Sequence, residues 1–211
     1  MKKLMMMLLG IVLVSGASGQ AAKTVKLNAP NKARGAATMQ ALEKRKSTRE
    51  FADRKLSLQD LSDLVWAANG MNRPAEGKRT SPTARNMQEI DLYVCMAEGA
   101  YLYDAKANEL KLVTEEDVRP HVAGSQPFAK NAPVCLVIVA DLTRAGGNTE
   151  MSRIFSAMDA GIVSQSISLF CAGCDFATVP RGFMDKENLA KALKLGENLL
   201  IHLNHPVGYF K

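Results

Sequence analysis

The spacing of apolar residues changes period several times along the chain. Residues 38–46 carry Met39 and Leu42 at helical spacing, and a second helix follows Ser57 with Leu58, Leu61, Leu64, Val65 and Ala68 on one face. Ser57 suits an N-cap, Asp60 stands three residues on, and Gly70 is placed to stop the helix. Both amphipathic faces are expected to pack on something. No period is visible from Met71 to Asn86, where Asn72, Arg73, Pro74, Gly77, Ser81 and Pro82 mark a loop. Loops of that length inside compact domains tend to be functional or mobile. Strict alternation then returns at Ile90, Leu92, Val94 and Met96, and Tyr101–Tyr103 and Leu110–Val113 flank a turn, as in a hairpin.

Further along, a short helix is expected over 115–122, and the unbroken apolar run 133–140 (PVCLVIVA) has the signature of a strand buried on both faces. The longest helix is expected over 148–171, where Ile154, Met158, Gly161, Ile162, Ile167, Ser168 and Cys171 make nearly every face apolar or small. A helix of that kind lies at the centre of a molecule or in a subunit interface. A helix over 186–193 and a strand over 198–203 precede the closing segment Pro206–Lys211. Helices and strands mix without βαβ regularity, so the expected class is α+β.

Residues 1–22 stand apart: Lys2 and Lys3, an apolar run from Leu4 to Val14, then Ser15, Gly16, Ala17, Ser18 and Gly19. That order is a secretory signal, and the apolar run is about half the roughly 20 residues that a membrane span needs. The expectation is an exported, periplasmic protein with no stable membrane anchor once the signal is cleaved. Residues 23–37, rich in Lys, Asn, Ala, Pro and Gly, read as a lead-in arm, and 38–211 as one domain. The formal charge of +6 becomes +4 without Lys2 and Lys3. So mild and scattered an excess suits an anionic ligand and argues against nucleic acid.

Four cysteines in an oxidising compartment make a disulfide possible, and Cys171-Ala-Gly-Cys174 has redox-motif spacing. The pair closes a helical pattern, however, whereas a reactive motif opens a helix where the dipole lowers the thiol pKa. Thiol–disulfide exchange at Cys171 and Cys174 therefore stands as an alternative, beside two packed core residues; Cys95 and Cys135 read as core. His202 and His205, three apart on a strand, are expected on opposite faces, which speaks against one metal site. With His121 they read as surface or core-edge residues. No GxGxxG or Walker lysine is present.

The strongest chemical cluster is Arg45-Lys46-Ser47-Thr48-Arg49. Three cations with hydroxyls between them match a phosphate dianion, because charge-assisted bonds from Arg are strong and directional. Taken alone it reads more readily as the solvated basic end of a helix. Later segments add to it: Ser81-Pro82-Thr83-Ala84-Arg85-Asn86-Met87-Gln88, Asp159-Ala160-Gly161 with Gln165, Val179-Pro180-Arg181-Gly182 and Pro206-Val207-Gly208-Tyr209. In this unbroken order, over residues 38–211, the chain resembles the nitroreductase family, and its 101–113 hairpin is most similar to the azoline-oxidase branch. Glu89-Ile90 stands where that family's pattern has Pro-Trp.

The resemblance implies a central, mostly antiparallel sheet flanked by helices, with a long central helix at a homodimer interface and FMN bound there by both subunits. It implies cofactor contacts from Arg45, Lys46, Ser47, Arg49, Pro82, Thr83, Ala84, Asn86, Gln88, Gln165, Val179, Pro180, Arg181, Gly182 and Lys211. Lys211 would reach the phosphate, and Lys46 or Arg49 would face the flavin's N1 and O2. It further implies that the flavin carries the redox chemistry by a ping-pong route between a small-molecule donor and a planar acceptor (nitroaromatic, quinone or azoline-like). No protein nucleophile or metal is then required. A flavin-binding protein without turnover is the other alternative.

Overall fold

A computed structural model describes residues 23–211; the expected export signal lies outside the described residues. A seven-stranded antiparallel sheet forms the centre. Its strands are β1 (Thr24–Lys26), β4 (Ile90–Met96), β5 (Gly99–Asp104), β6 (Glu109–Thr114), β7 (Val134–Asp141), β8 (Phe176–Thr178) and β9 (Leu199–Tyr209), in the order β1-β6-β5-β4-β7-β9-β8. A separate ribbon pairs β2 (Met71–Arg73) with β3 (Lys78–Arg79). The mixed α+β architecture expected from the sequence is present.

β7 lies between β4 and β9 with seven of its eight residues buried, which explains its unbroken apolar run. Its side chains still alternate. Leu136 and Ile138 face one core with helices α2 (Leu58–Asn69) and α4 (Glu150–Gly173), whereas Val137 and Val139 face another with α3 (Arg119–Ala123) and α5 (Lys186–Ala192). α2 begins as the sequence predicts, with the Ser57 hydroxyl accepting from Asp60 N and donating to its carboxylate. Gly70 ends it for a different reason from the expected left-handed cap. Its φ is −79°, and a Cβ there would lie 2.4 Å from Trp66 Cδ1, so close approach rather than backbone freedom requires glycine.

Several expectations are corrected. The first helix, α1 (Thr38–Lys44), stops before the basic cluster and buries Ala41, while Met39 is 76% exposed. The arm is ordered: β1 pairs with β6, Asn31 N donates to Asp63 Oδ1, and Arg34 bridges Asp60 and Asp63 at 2.7 and 2.9 Å. The order comes from Asp63, 2% exposed, whose charge needs these partners. α3 starts at Arg119 rather than at 115, where the Asp117 carboxylate receives Arg119 N.

The final strand runs unbroken from Leu199 to Tyr209 and contains Pro206, where two segments were expected. One register shift opposes Ile138 to Leu203 but Val139 to Ile201, leaving His202 as the extra residue of a bulge. The bulge turns His202 and His205 to the same side: their Nε2 atoms lie 3.0 Å from Ser156 Oγ and 2.7 Å from Ser164 Oγ, both on α4. His205 is fully buried, not at a surface or core edge, and burial pulls its pKa down to about 3.

α4 is not covered all round. Ser152, Ser156, Asp159, Ala160, Val163, Ser164, Ile167, Ser168 and Cys171 are buried, while Met151, Ile154, Phe155, Met158 and Ile162 form an exposed apolar ridge.

Candidate active site

The basic cluster is an extended segment, because the chain leaves α1 at Arg45 with φ −58° and ψ 118°. Thr48 N donates to Thr178 O at 2.8 Å, fastening the segment to the end of β8. Val179–Gly182 follows directly, so the structure brings these two predicted elements together. Paired backbone bonds between Arg181 and Asn204, 2.9 and 2.8 Å, hold that loop to β9. Arg45, Lys46, Ser47, Arg49, Pro180, Gly182 and Lys211 are exposed; Val179 is buried.

Arg181 departs from its expected role. Its guanidinium is buried and donates to Gln126 Oε1, Asn204 Oδ1 and the carbonyls of Val122 and Ala123, closing the C-terminal end of α3. Burial, aided by the charge of Arg49, pulls its pKa below the ordinary value. Arg181 and Arg49 lie 5.2 and 5.9 Å from the ring of Phe128, and Lys46 Nζ lies 5.5 Å from that of Phe210. A cavity of about 400 Å³ opens beside Lys44, Lys46, Ser168, Thr178 and Phe210.

The second predicted group lies across α4. Ser81 Oγ donates to Ala68 O and meets Ser166 Oγ, and Ala84 N donates to Asp159 Oδ2 at 2.9 Å. Arg85, Asn86 and Gln88 all adopt left-handed φ, between 52° and 57°. Such residues cost about 1–3 kcal/mol each and persist where the surroundings over-determine them. Thr83 Oγ1 accepts from Gln88 N, which fixes the turn. The Gln88 side chain, expected at a cofactor, is taken up instead by Arg79 Nε, Gly77 O and Asn86 Oδ1. A cavity of about 670 Å³ is lined by Arg79, Pro82, Thr83, Arg85 and Asn86.

The two groups line different cavities. At 3.6 residues per turn, Asp159 and Ser166 project from one flank of α4 and Ser164 and Ser168 from the other. The exposed ridge, with exposed Gln165 on it, lies between these flanks.

Sequence reasoning missed a carboxyl pair. Glu89, the departure from the family pattern, is 1% exposed and lies beside Asp159. Burial, then the neighbouring Asp159, raises its pKa to about 7. Only the acid types and the odd Glu89 were visible in the sequence. The thiols run opposite to what exchange chemistry needs, since burial raises the pKa of both Cys171 and Cys174.

The residue pattern of the Nitroreductase family matches residues 42–209. A provisionally named nitroreductase of Methanocaldococcus jannaschii is 28% identical over 177 residues, 78% of this chain and 87% of that protein. A crystal structure of a provisionally named nitroreductase from Ralstonia eutropha JMP134 is 32% identical with a TM-score of 0.81, covering 89% of this chain and 90% of that one. An FMN-dependent nitroreductase from Clostridium difficile R20291 shares the fold at 16% identity, with a TM-score of 0.58 over 82% of this chain and 87% of its own. With the family pattern spanning most of the domain, the chain belongs to the nitroreductase family of oxidoreductases.

Proposed function

We propose that the protein is an FMN-dependent oxidoreductase that acts as a homodimer, with each flavin site built from Arg45–Arg49, Val179–Gly182 and Lys211 of one subunit and the 82–88 turn and Gln165 of the other. One observation carries this reading: the exposed cation cluster is pinned by Thr48 N beside the 179–182 loop, while the second half-site lies beyond the apolar ridge of its own chain. The donor set fits a flavin phosphate. Among the described residues, Arg45, Lys46, Arg49 and Lys211 have no carboxylate partner, so an anion meets no internal competitor. Gly182 leaves the loop face open, since a Cβ there would find nothing nearer than Leu203 Cδ2 at 4.0 Å. The FMN-dependent fold relative from C. difficile lends further support.

When bound, FMN supplies reversible two-electron transfer at its ring. The protein's part is position and charge. Arg45, Ser47 and Lys211 would hold its phosphate, and Lys46 or Arg49 would donate to the ring where negative charge gathers on reduction. The backbone of 179–182, and Pro82–Asn86 with Gln165 of the second copy, would hold the ring between them and leave room for a planar donor or acceptor. The strained 85–88 backbone keeps its contacts fixed rather than ordering them on binding. In this reading residues 1–22 direct export, so the electron donor is a small molecule of the periplasm.

The test is the visible spectrum of the protein purified from residue 23 onward. Flavin absorption, or its appearance on adding FMN, is expected. A colourless protein that takes up no FMN refutes the reading.

A further inference from the structure

A third cavity, about 460 Å³, lies between the 84–89 turn and the start of α4, lined by Met87, Ala145, Met151 and Phe155, the last two on the ridge read as the subunit contact, with the exposed Arg85 beside it. Its walls are mostly apolar. Glu89 is the one carboxyl among the lining residues and is buried, with Oε2 lacking any hydrogen-bond partner. Its neighbour Asp159, 5% exposed, receives one backbone N–H, from Ala84. The half-buried Arg144 is committed to other carboxylates. Arg144 is engaged by Asp91 and Asp141 at 2.5 and 3.1 Å, and touches Gln88 and Glu89 only at their backbone carbonyls. A second orphaned acceptor, Asn69 Oδ1, belongs to the side chain whose amide donates to Ile90 O, next to Glu89.

Buried acceptors without donors are costly, and a buried acid pair without a cation more so. With one proton between them the two carboxyls still carry a buried negative charge with no cation beside it, so the missing partner is positive. A metal ion is a poor match, since hard cations take six or more oxygens and the described residues offer no group of three acidic, His or Cys ligands. Apolar walls around one acid pair suit an organic ammonium instead.

We propose that this cavity binds a small organic cation with an apolar body, such as an arylalkylamine, whose ammonium is received by the Glu89–Asp159 pair. The apolar body fills the space between Met87 and Phe155, and the ammonium supplies the donor that Glu89 Oε2 lacks. Binding stands on this geometry alone. That the amine is also the redox substrate rests on the flavin reading, because the cavity adjoins Ala84 and Arg85 of the proposed half-site.

The test is calorimetric titration of the protein as purified, whatever its colour, with 2-phenylethylamine and its neutral isostere 2-phenylethanol. A charge-assisted bond to a buried carboxyl predicts that the amine binds about tenfold or more tightly than the alcohol. Glu89→Gln abolishes that preference. Arg85→Asn, which keeps a residue tolerant of the left-handed backbone, removes a rim cation and tightens the amine but not the alcohol. Equal or absent binding of the amine overturns the proposal, as does a folded Glu89→Gln that retains the preference. If Glu89→Gln fails to fold by circular dichroism, an unchanged amine affinity in Arg85→Asn overturns it. The visible spectrum, recorded separately, decides the flavin reading without touching this result.

Discussion

Replacing Met158 by glutamate tests whether the ridge on α4 is the subunit contact. Met158 is 59% exposed, in the middle of a stripe that runs through Met151, Ile154, Phe155 and Ile162. Full burial of such a side chain is worth about 1.5–3 kcal/mol, so covering the exposed part of Met158 contributes about 1–2 kcal/mol per copy. A two-fold interface contains the position twice, which makes the loss about 2–4 kcal/mol before any charge is counted. Desolvating two carboxylates close to the symmetry axis adds to it. The dimer dissociation constant should rise by a factor on the order of one hundred or more. Sedimentation velocity across a concentration series measures this directly, with Lys130→Gln, at an exposed residue between α3 and β7, as the control of equal charge change. Because the flavin slot is shared between subunits in this reading, bound flavin should be lost in step with the dimer. A parent protein that is monomeric at tens of micromolar, or a Met158→Glu variant that associates as tightly as the parent, refutes the reasoning.

Three further outcomes are expected. Arg49→Ala removes a charge-assisted contact worth about 1.5–3 kcal/mol, so FMN affinity followed by fluorescence quenching should fall about tenfold to a hundredfold; unchanged affinity removes Arg49 from the site. Gly70→Ala forces a Cβ to within 2.4 Å of Trp66 Cδ1, an overpacking of about 1–3 kcal/mol that calorimetry should register as a lower Tm. Glu89 keeps its proton in the fold up to about pH 7, against an ordinary value of 4.5. Its contribution is therefore complete below the unfolded value and is lost as pH rises through the folded one. Denaturant titrations should show stability falling between about pH 4.5 and 7, with a shallower slope in Glu89→Gln. An identical slope in the variant assigns the effect to another group.

Much of the scaffold was legible locally. The Ser57–Asp60 cap, the alternation of β4 and the unbroken β7 run each follow from a few neighbouring residues, and each recurs in the structure. What failed depended on partners distant in sequence. The arm has no period of its own and is ordered by Asp60 and Asp63 on α2. Period-two reasoning put His202 and His205 on opposite faces, but one bulged residue set by the register with β7 turned both toward α4. Arg181 and Gln88 were expected as ligand contacts from the family resemblance, yet the fold gives both side chains structural partners.

The sequence by itself determined the α+β class, the family, and the identity and order of the basic-cluster and turn segments, because these rest on local periodicity and on residue types at short spacing. Only the tertiary structure decided which of those side chains face outward and which are consumed inside. It alone turned an apolar helix into a buried face and an exposed ridge, placed the basic cluster and the 82–88 turn on opposite flanks of α4, and set Glu89 beside Asp159. The reason is that burial and pairing are properties of contacts between residues far apart in the chain. A pattern read along one segment carries no record of what lies across from it.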